Sequence, residues 1–242
     1  MEAKKLSNLR IWLSGASRGI GYAIACKLVD TGATLILSAR NSSSFENVRL
    51  SFSNNKNVFF FPYDITKPDD ISKCYDRIKM AIGGVDILIN NAGVVKFHSF
   101  NKLTLEDFDY MNAVNYRGVF LCIKAVLPDM IERKDGVIIN TISVVITKAF
   151  KNSSVYSASK SAVWAMANSL REEVRSEGIK IVNILPGATE TDVWSPENRQ
   201  RFSKSMMQPK DVADAVYYVI ELSLNNRLMI EEVVLRPQGG DL

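Results

Sequence analysis

Short apolar runs rich in branched residues alternate along this chain with longer stretches whose apolar positions recur at helical spacing. LRIWL (9–13), TLILS (34–38), NVFFF (57–61), VDILIN (85–90), GVIINTI (136–142), IKIVNIL (179–185) and EEVVL (231–235) predict strands. They are nearly continuous in apolar character, as strands covered on both faces are. GIGYAIACKLVDTG repeats Ile20, Ala23, Ile24 and Leu28 on one helical face and is expected to close at Gly32, as DISKCYDRIKMAIGG closes at Gly83. Residues 104–133 predict one or two helices, 155–177 another, and PKDVADAVYYVIEL a last one opening near Pro209. The polar segment 41–57 is the weakest and predicts only a loose helix. Strand and helix in alternation imply an α/β fold, a doubly wound parallel sheet of about seven strands with helices on both faces. No linker, repeat or low-complexity stretch divides residues 1–242, so a single domain is expected. In such a sheet ligands bind beyond the carboxyl ends of the strands.

After the first strand comes SGASRGIG, with Gly15, Gly19 and Gly21. Glycines there permit a tight turn and the close approach of a pyrophosphate. A helix opening at Gly19 or Ile20 would aim its N–H groups at that anion. The spacing is not the better-known G-x-G-x-x-G, and alone the turn is weak evidence. Further on, YSASK sets Tyr156 and Lys160 four positions apart, on one helical face. Alone, that pair also fits two ordinary helix residues.

Taken together and in order, these stretches resemble the short-chain dehydrogenase/reductase family. The resemblance rests on SGASRGIG, on YDIT (63–66), on NNAG (90–93), on Ser143 thirteen residues before YSASK, and on LPG (185–187). It covers essentially the whole chain; Ser14 stands where the family usually has threonine, which keeps a hydroxyl. The resemblance implies a Rossmann-type dinucleotide fold and hydride transfer between a nicotinamide and a carbonyl or secondary alcohol. It implies a catalytic set of Asn115, Ser143, Tyr156 and Lys160, with Tyr156 as proton donor or acceptor and Ser143 on the substrate oxygen. Lys160 would bind the nicotinamide ribose and acidify the phenol, and Asn115 would support a water-linked proton relay. The cofactor would be bound by Gly15, Ser17, Arg18, Gly19, Ile20, Gly21, Arg40, Asp64, Asn90, Ala92, Gly93, Tyr156, Lys160, Pro186, Gly187 and Thr189.

The pairing of Tyr156 with Lys160 is energetically reasonable. Lowering a phenol from pH ~10 to ~7 takes about 4 kcal/mol. One ammonium at roughly 5 Å, at an effective dielectric near ~20, supplies about 3 kcal/mol.

At the end of the second strand the family's usual acid position is Ala39, followed by Arg40, while Arg18 sits in the glycine turn. Two guanidinium groups and no carboxylate suit a 2′-phosphate, so NADP(H) is favoured over NAD(H). The substrate is less legible. Val144, Val145, Ala149 and Phe150 are candidate walls. The segment 189–208, polar with Trp194, Phe202, Met206 and Met207, is either a lid or a surface loop. The ending EEVVLRPQGGDL departs from that of fatty-acid-type members, which weakens a 3-oxoacyl-thioester reductase reading. The same scaffold would also suit a non-redox enzyme, such as an epimerase or dehydratase, or a cofactor-binding regulator without turnover.

Composition narrows the rest. A net charge of +4 with no run of Lys or Arg argues against nucleic acid, and no apolar stretch is long enough for a membrane span. The start, MEAKKLSNLRIWL, has too short an apolar run for a signal peptide. The odd, scattered cysteines Cys26, Cys74 and Cys122 suit reduced thiols in a cytosol, each as a small buried apolar residue. The single histidine, His98, reads as a loop residue and no metal site is expected. By resemblance, copies would assemble as a homodimer or homotetramer through helices at 115–133 and 155–177, where Ala158, Ala162 and Ala165 permit close approach unless they face the sheet.

Overall fold

The computed structural model describes residues 5–40 and 42–242; Lys4 of the amino-terminal lysine pair and Asn41 of the polar segment lie outside the described residues. The strands are β1 (Arg10–Ser14), β2 (Thr34–Ser38), β3 (Val58–Phe60), β4 (Ile87–Asn90), β5 (Gly136–Thr141), β6 (Ile179–Pro186) and β7 (Glu232–Leu235). All pair in parallel, in the order β3-β2-β1-β4-β5-β6-β7. Strand order reverses between β1 and β4, which opens a crevice above their carboxyl ends.

The helices are α1 (Gly19–Val29), α2 (Ser42–Ser51), α3 (Pro68–Ile82), α4 (Leu105–Asn112), α5 (Gly118–Arg133), α6 (Ser154–Val174), α7 (Pro196–Phe202) and α8 (Pro209–Ser223). The period-2 alternation of the strands feeds two layers. Ile36, Trp12, Leu88, Ile138 and Ile181 align across five strands, on the face covered by α3, α5 and α6. The intervening residues, among them Leu13, Leu37, Ile89 and Ile184, meet α1, α2 and α8. Each large side chain so buried contributes roughly 1.5–3 kcal/mol.

Two residues beyond the apolar row, the same face carries asparagines. Asn90, Asn140 and Asn183 stand opposite one another on β4, β5 and β6. Asn90 Nδ2 donates to Asn140 Oδ1 at 2.9 Å, and Asn140 Nδ2 to Asn183 Oδ1 at 3.2 Å. Asn183 Nδ2 continues to Asn168 Oδ1 on α6, which also accepts from the buried Arg171.

The structure departs from the sequence reading at several points. The Thr31 hydroxyl takes the Leu28 carbonyl at 2.6 Å, so α1 ends at Val29 and Gly32 (φ +81°) sits in the following turn. Gly83 does close α3, in the left-handed conformation. The polar segment contains a genuine helix, α2, because Phe45, Val48 and the following Phe52 bury one face of it. Residues 104–133 run as α4 and α5 joined by a π-helical turn, Ala113–Arg117. Cys74 and Cys122 are buried, and burial pushes both thiols up to about 12, but Cys26 is exposed. Ala158 and Ala165 are exposed on α6 and do not face the sheet.

Candidate active site

A cleft of about 950 Å³ lies over the carboxyl ends of the central strands. That is at the upper end of the range for small-molecule sites, roughly 300–1,000 Å³. Ser17, Arg18, Gly19 and Ile20 line one end of it. Gly15 has φ +68°, and a Cβ there would lie 2.7 Å from Ala92 Cα. A Cβ on Gly21 would sit 2.1 Å from the Gly15 carbonyl, so Gly21 shapes the turn from behind and is not itself a wall of the cleft. No side chain caps the start of α1, which leaves its first-turn N–H groups without a side-chain acceptor. Ser14, at the end of β1, shows why the hydroxyl matters: its Oγ accepts from the Asn91 and Ala92 N–H groups at 3.1 Å each, tying β1 to the loop after β4.

Asn90 is placed differently from the expectation. It is buried and engaged in the asparagine row, outside the cleft walls, because it is still part of β4 and faces α6. Its neighbour Asn91, for which the motif assigned no role, lines the cleft and donates to the Ser14 and Gly15 carbonyls. Ala92 and Gly93 line it as expected. Arg40 and Arg18 are both exposed along the same wall, and Arg40 Nη1 donates to the Tyr110 hydroxyl at 2.6 Å. Asp64 also lines the cleft. Burial raises its carboxyl, but the Thr66 N–H and hydroxyl outweigh that and hold it below its usual range. Pro186, Gly187 and Thr189 form the floor beyond β6.

At the other end Ser143 lies two residues beyond β5, its Oγ accepting from Val145 N–H at 3.3 Å. Tyr156 projects from the first turn of α6. Burial raises its phenol above the ordinary value, and the polar influence of the Ser143 hydroxyl opposes that rise. Lys160, one turn on, is buried, and burial pushes its ammonium down to about 8. Its Nζ donates to the Thr141 carbonyl at 2.8 Å. The expected acidification of Tyr156 by Lys160 is therefore not what dominates the phenol here: desolvation does, and the ammonium is turned toward β5. The Thr141 hydroxyl is buried without a hydrogen-bond partner among the described residues, although Thr141 lines the cleft.

Asn115 lies on the π turn, fully buried behind the cleft wall. Its Oδ1 accepts from Val94 N–H and its Nδ2 donates to the Val94 carbonyl, both at 2.8 Å, and to Ser159 Oγ at 3.0 Å. The side-chain amide is thus committed to holding the NNAG loop against α6. Sequence reasoning points to Asn115 but has no signal for Ser159.

Over Tyr156 sits an aromatic pair. The Phe97 ring is edge-on to Tyr156 at 6.2 Å and stacks on Trp194 at 5.8 Å. Trp194 Nε1 donates to the Thr189 carbonyl at 3.0 Å. The segment 189–208 is pinned at both ends by a bridge between Thr189 and Met207. Trp194 and Phe202 line the cleft, whereas Met206 is buried and Met207 packs into the α1/α8 layer. Val144, Val145 and Phe150 are walls; Ala149 instead lines a neighbouring surface pocket. Among the described residues no cluster of three or more His, Cys, Asp or Glu could hold a metal, and no helix is long and apolar enough to cross a membrane.

A parallel sheet with a glycine turn at its switch point and a Ser-Tyr-Lys set at the far end of one cleft defines a nucleotide-dependent α/β enzyme. Comparison with known proteins gives the family. The short chain dehydrogenase family model matches residues 10–201. An uncharacterized oxidoreductase of Staphylococcus aureus (strain MRSA252) is 32% identical over 228 residues, covering 93% of this chain and 95% of the relative. An alcohol dehydrogenase from the archaeon Thermococcus sibiricus, solved with 5-hydroxy-NADP, superposes with a TM-score of 0.84 at 26% identity, covering 95% and 97% of the two chains. A metagenomic short-chain oxidoreductase solved with NADP gives 0.83 at 29% identity, covering 97% and 99%. The chain belongs to the short-chain dehydrogenase family and is an oxidoreductase of that class.

Proposed function

We propose that this protein is an NADP(H)-dependent reductase of carbonyl compounds, reversible toward secondary alcohols, with Tyr156 as proton donor and acceptor. The observation that carries the reading is the meeting of Ser143 and Tyr156 at one end of the cleft whose other end is the glycine turn. The residues present fit a dinucleotide: the Gly15 turn leaves no room for a Cβ, the α1 N-terminus is uncapped, and Thr141 offers an unpartnered hydroxyl. Arg18 and Arg40 both line the cleft and would suit a 2′-phosphate, and Ala39 offers no carboxylate to a ribose diol. The NADP named with the two solved relatives agrees with this choice.

A nicotinamide held in the cleft would supply the hydride chemistry. The Tyr156 hydroxyl gives its proton to the carbonyl oxygen, and the Ser143 hydroxyl donates to the same oxygen as negative charge develops there. Lys160, buried beside Thr141, binds the ribose and supplies positive charge near the phenol. Asn115 acts through others, fixing Val94 and Ser159 around Lys160. The segment 189–208 closes over the substrate, with Trp194 against Phe97, and excludes water. Two copies pair through the outer faces of α5 and α6, where Tyr116, Phe120 and Trp164 are exposed beside Ala158 and Ala165.

The test is a panel of ketones, aldehydes and quinones followed by NADPH absorbance. Stoichiometric loss of NADPH with at least one neutral carbonyl is expected; cofactor binding with no consumption across the panel would overturn the reading.

A further inference from the structure

Phe97, Val145, Phe150, Trp194, Phe202 and Leu242 give the substrate end of the cleft apolar walls, beside the polar Asn152 and Asn198. Its acidic groups already have cationic partners. Asp192 pairs with Arg199 at 2.7 Å. Asp241, the residue before Leu242, pairs with Lys148 at 3.3 Å and with Arg236. The second amino group of Arg236 donates to Thr147 Oγ1 at 2.8 Å. Thr147 and Lys148 belong to the loop that follows Ser143, and Lys148 Nζ also lies 5.3 Å from the centre of the Phe150 ring. Asp241 is thus the best-shielded member of this group, its side chain 10% exposed against 56% for Lys148. Burial raises its carboxyl, but Arg236 and Lys148 outweigh that, so it is ionised at neutral pH. The exposed Lys151 is a cation on the rim.

Two contacts therefore join the segment after β7 to the loop that follows Ser143, Asp241 to Lys148 and Arg236 to Thr147, and Asp241 also holds Arg236 in place for the second. We propose that Asp241 is a positioning residue that fastens residues 236–242 across the substrate end of the cleft, so that Leu242 is a wall limiting the size of neutral, apolar carbonyl substrates. The activity arm of its test rests on the reductase reading above; the binding arm rests on the geometry alone.

Four full-length proteins are compared: wild type, Leu242→Ala, Asp241→Ala and Asp241→Glu. In the binding arm, the neutral dye 6-propionyl-2-dimethylaminonaphthalene is titrated into each NADP+ complex. Leu242→Ala and Asp241→Ala should bind it about threefold or more tightly, because even one methylene in an apolar pocket changes discrimination by roughly 10–200-fold. Asp241→Glu, which keeps the charge, should return toward wild type. In the activity arm, kcat/KM for 2-acetylnaphthalene relative to acetone should rise about tenfold in the two alanine variants, chiefly through KM for the larger ketone. Wild type should also prefer acetophenone to 4-carboxyacetophenone. Folded alanine variants, judged by thermal melting, whose dye affinity and substrate ratio both stay at the wild-type value would overturn the wall, and preference for the anionic ketone would overturn the neutral class. If no carbonyl is consumed by any protein the reductase reading fails, and the dye titration still decides the wall.

Discussion

The Lys160 ammonium donates to the Thr141 carbonyl at 2.8 Å, from a buried position one helical turn beyond Tyr156. It is held by β5, not by the phenol. A charge so placed is costly to bury, and the depression of its pKa to about 8 expresses that cost. Between about 8 and the ordinary 10.5 the unfolded chain binds one more proton than the folded one, so Lys160 makes stability rise with pH across that window. Lys160→Met should abolish this rise and leave stability at pH ~7 within about 1 kcal/mol of wild type, while weakening NADPH about tenfold or more. Melting curves from neutral to alkaline pH and a cofactor titration check both halves.

Tyr156→Phe should lower reduction by about 10²–10⁴-fold with NADPH affinity nearly unchanged, since only the proton donor is removed. Near-normal turnover in a folded variant would be incompatible with the assigned chemistry.

Ser143→Ala removes the hydroxyl that opposes the burial-driven rise of the Tyr156 phenol. In the alcohol-oxidising direction the phenol must give up its proton, so the rising limb of kcat against pH should move to higher pH. A limb that stays in place would detach Ser143 from the phenol.

Ala39→Asp with Arg40→Leu should turn cofactor choice toward NADH. The carboxylate would accept from a ribose diol and repel a 2′-phosphate, and loss of Arg40 removes a bidentate donor. Arg40 also donates to Tyr110, so Tyr110→Phe serves as a control that should shift the preference little. The ratio of kcat/KM for the two cofactors is the measurement, and wild-type preference for NADH would defeat the argument at the outset.

Trp194 fluorescence should report closure of 189–208. Trp12 is fully buried, stacked on Tyr75 at 6.0 Å, so it contributes a constant signal; only the exposed Trp164 needs replacement by Phe. A substrate analogue added to the NADP+ complex should reduce quenching of Trp194 by acrylamide, and unchanged quenching despite demonstrated binding would exclude the lid.

Much of this was legible because strands buried on both faces spell themselves out as apolar runs, and because SGASRGIG, NNAG and YSASK each sit just beyond a strand. What was not legible depended on direction. Asn90 and Asn91 are identical letters, yet the pleat sends the first into the sheet and the second into the cleft. Phe97 and Leu242 carry no motif; they reach the site through loops whose course the local sequence does not encode. Cys26 looks like its buried counterparts in sequence and differs only in the side of α1 it occupies.

The π turn at Ala113–Arg117 has a consequence for more than Asn115. The buried positions Met111, Asn115, Val119, Cys122, Val126 and Met130 advance 19 residues over five turns. Five turns of regular α-helix take about 18 residues. The surplus residue is absorbed in the π turn, which therefore sets the rotational phase of everything downstream. Rewinding it as regular α-helix with every residue kept would turn α5 by about 100°. Its apolar stripe would leave the sheet, and exposed positions such as Phe120 and Lys124 would swing toward it. The amide that braces the NNAG loop and the seating of a sixteen-residue helix are thus fixed by the same local irregularity. A chain that ironed it out would lose both together.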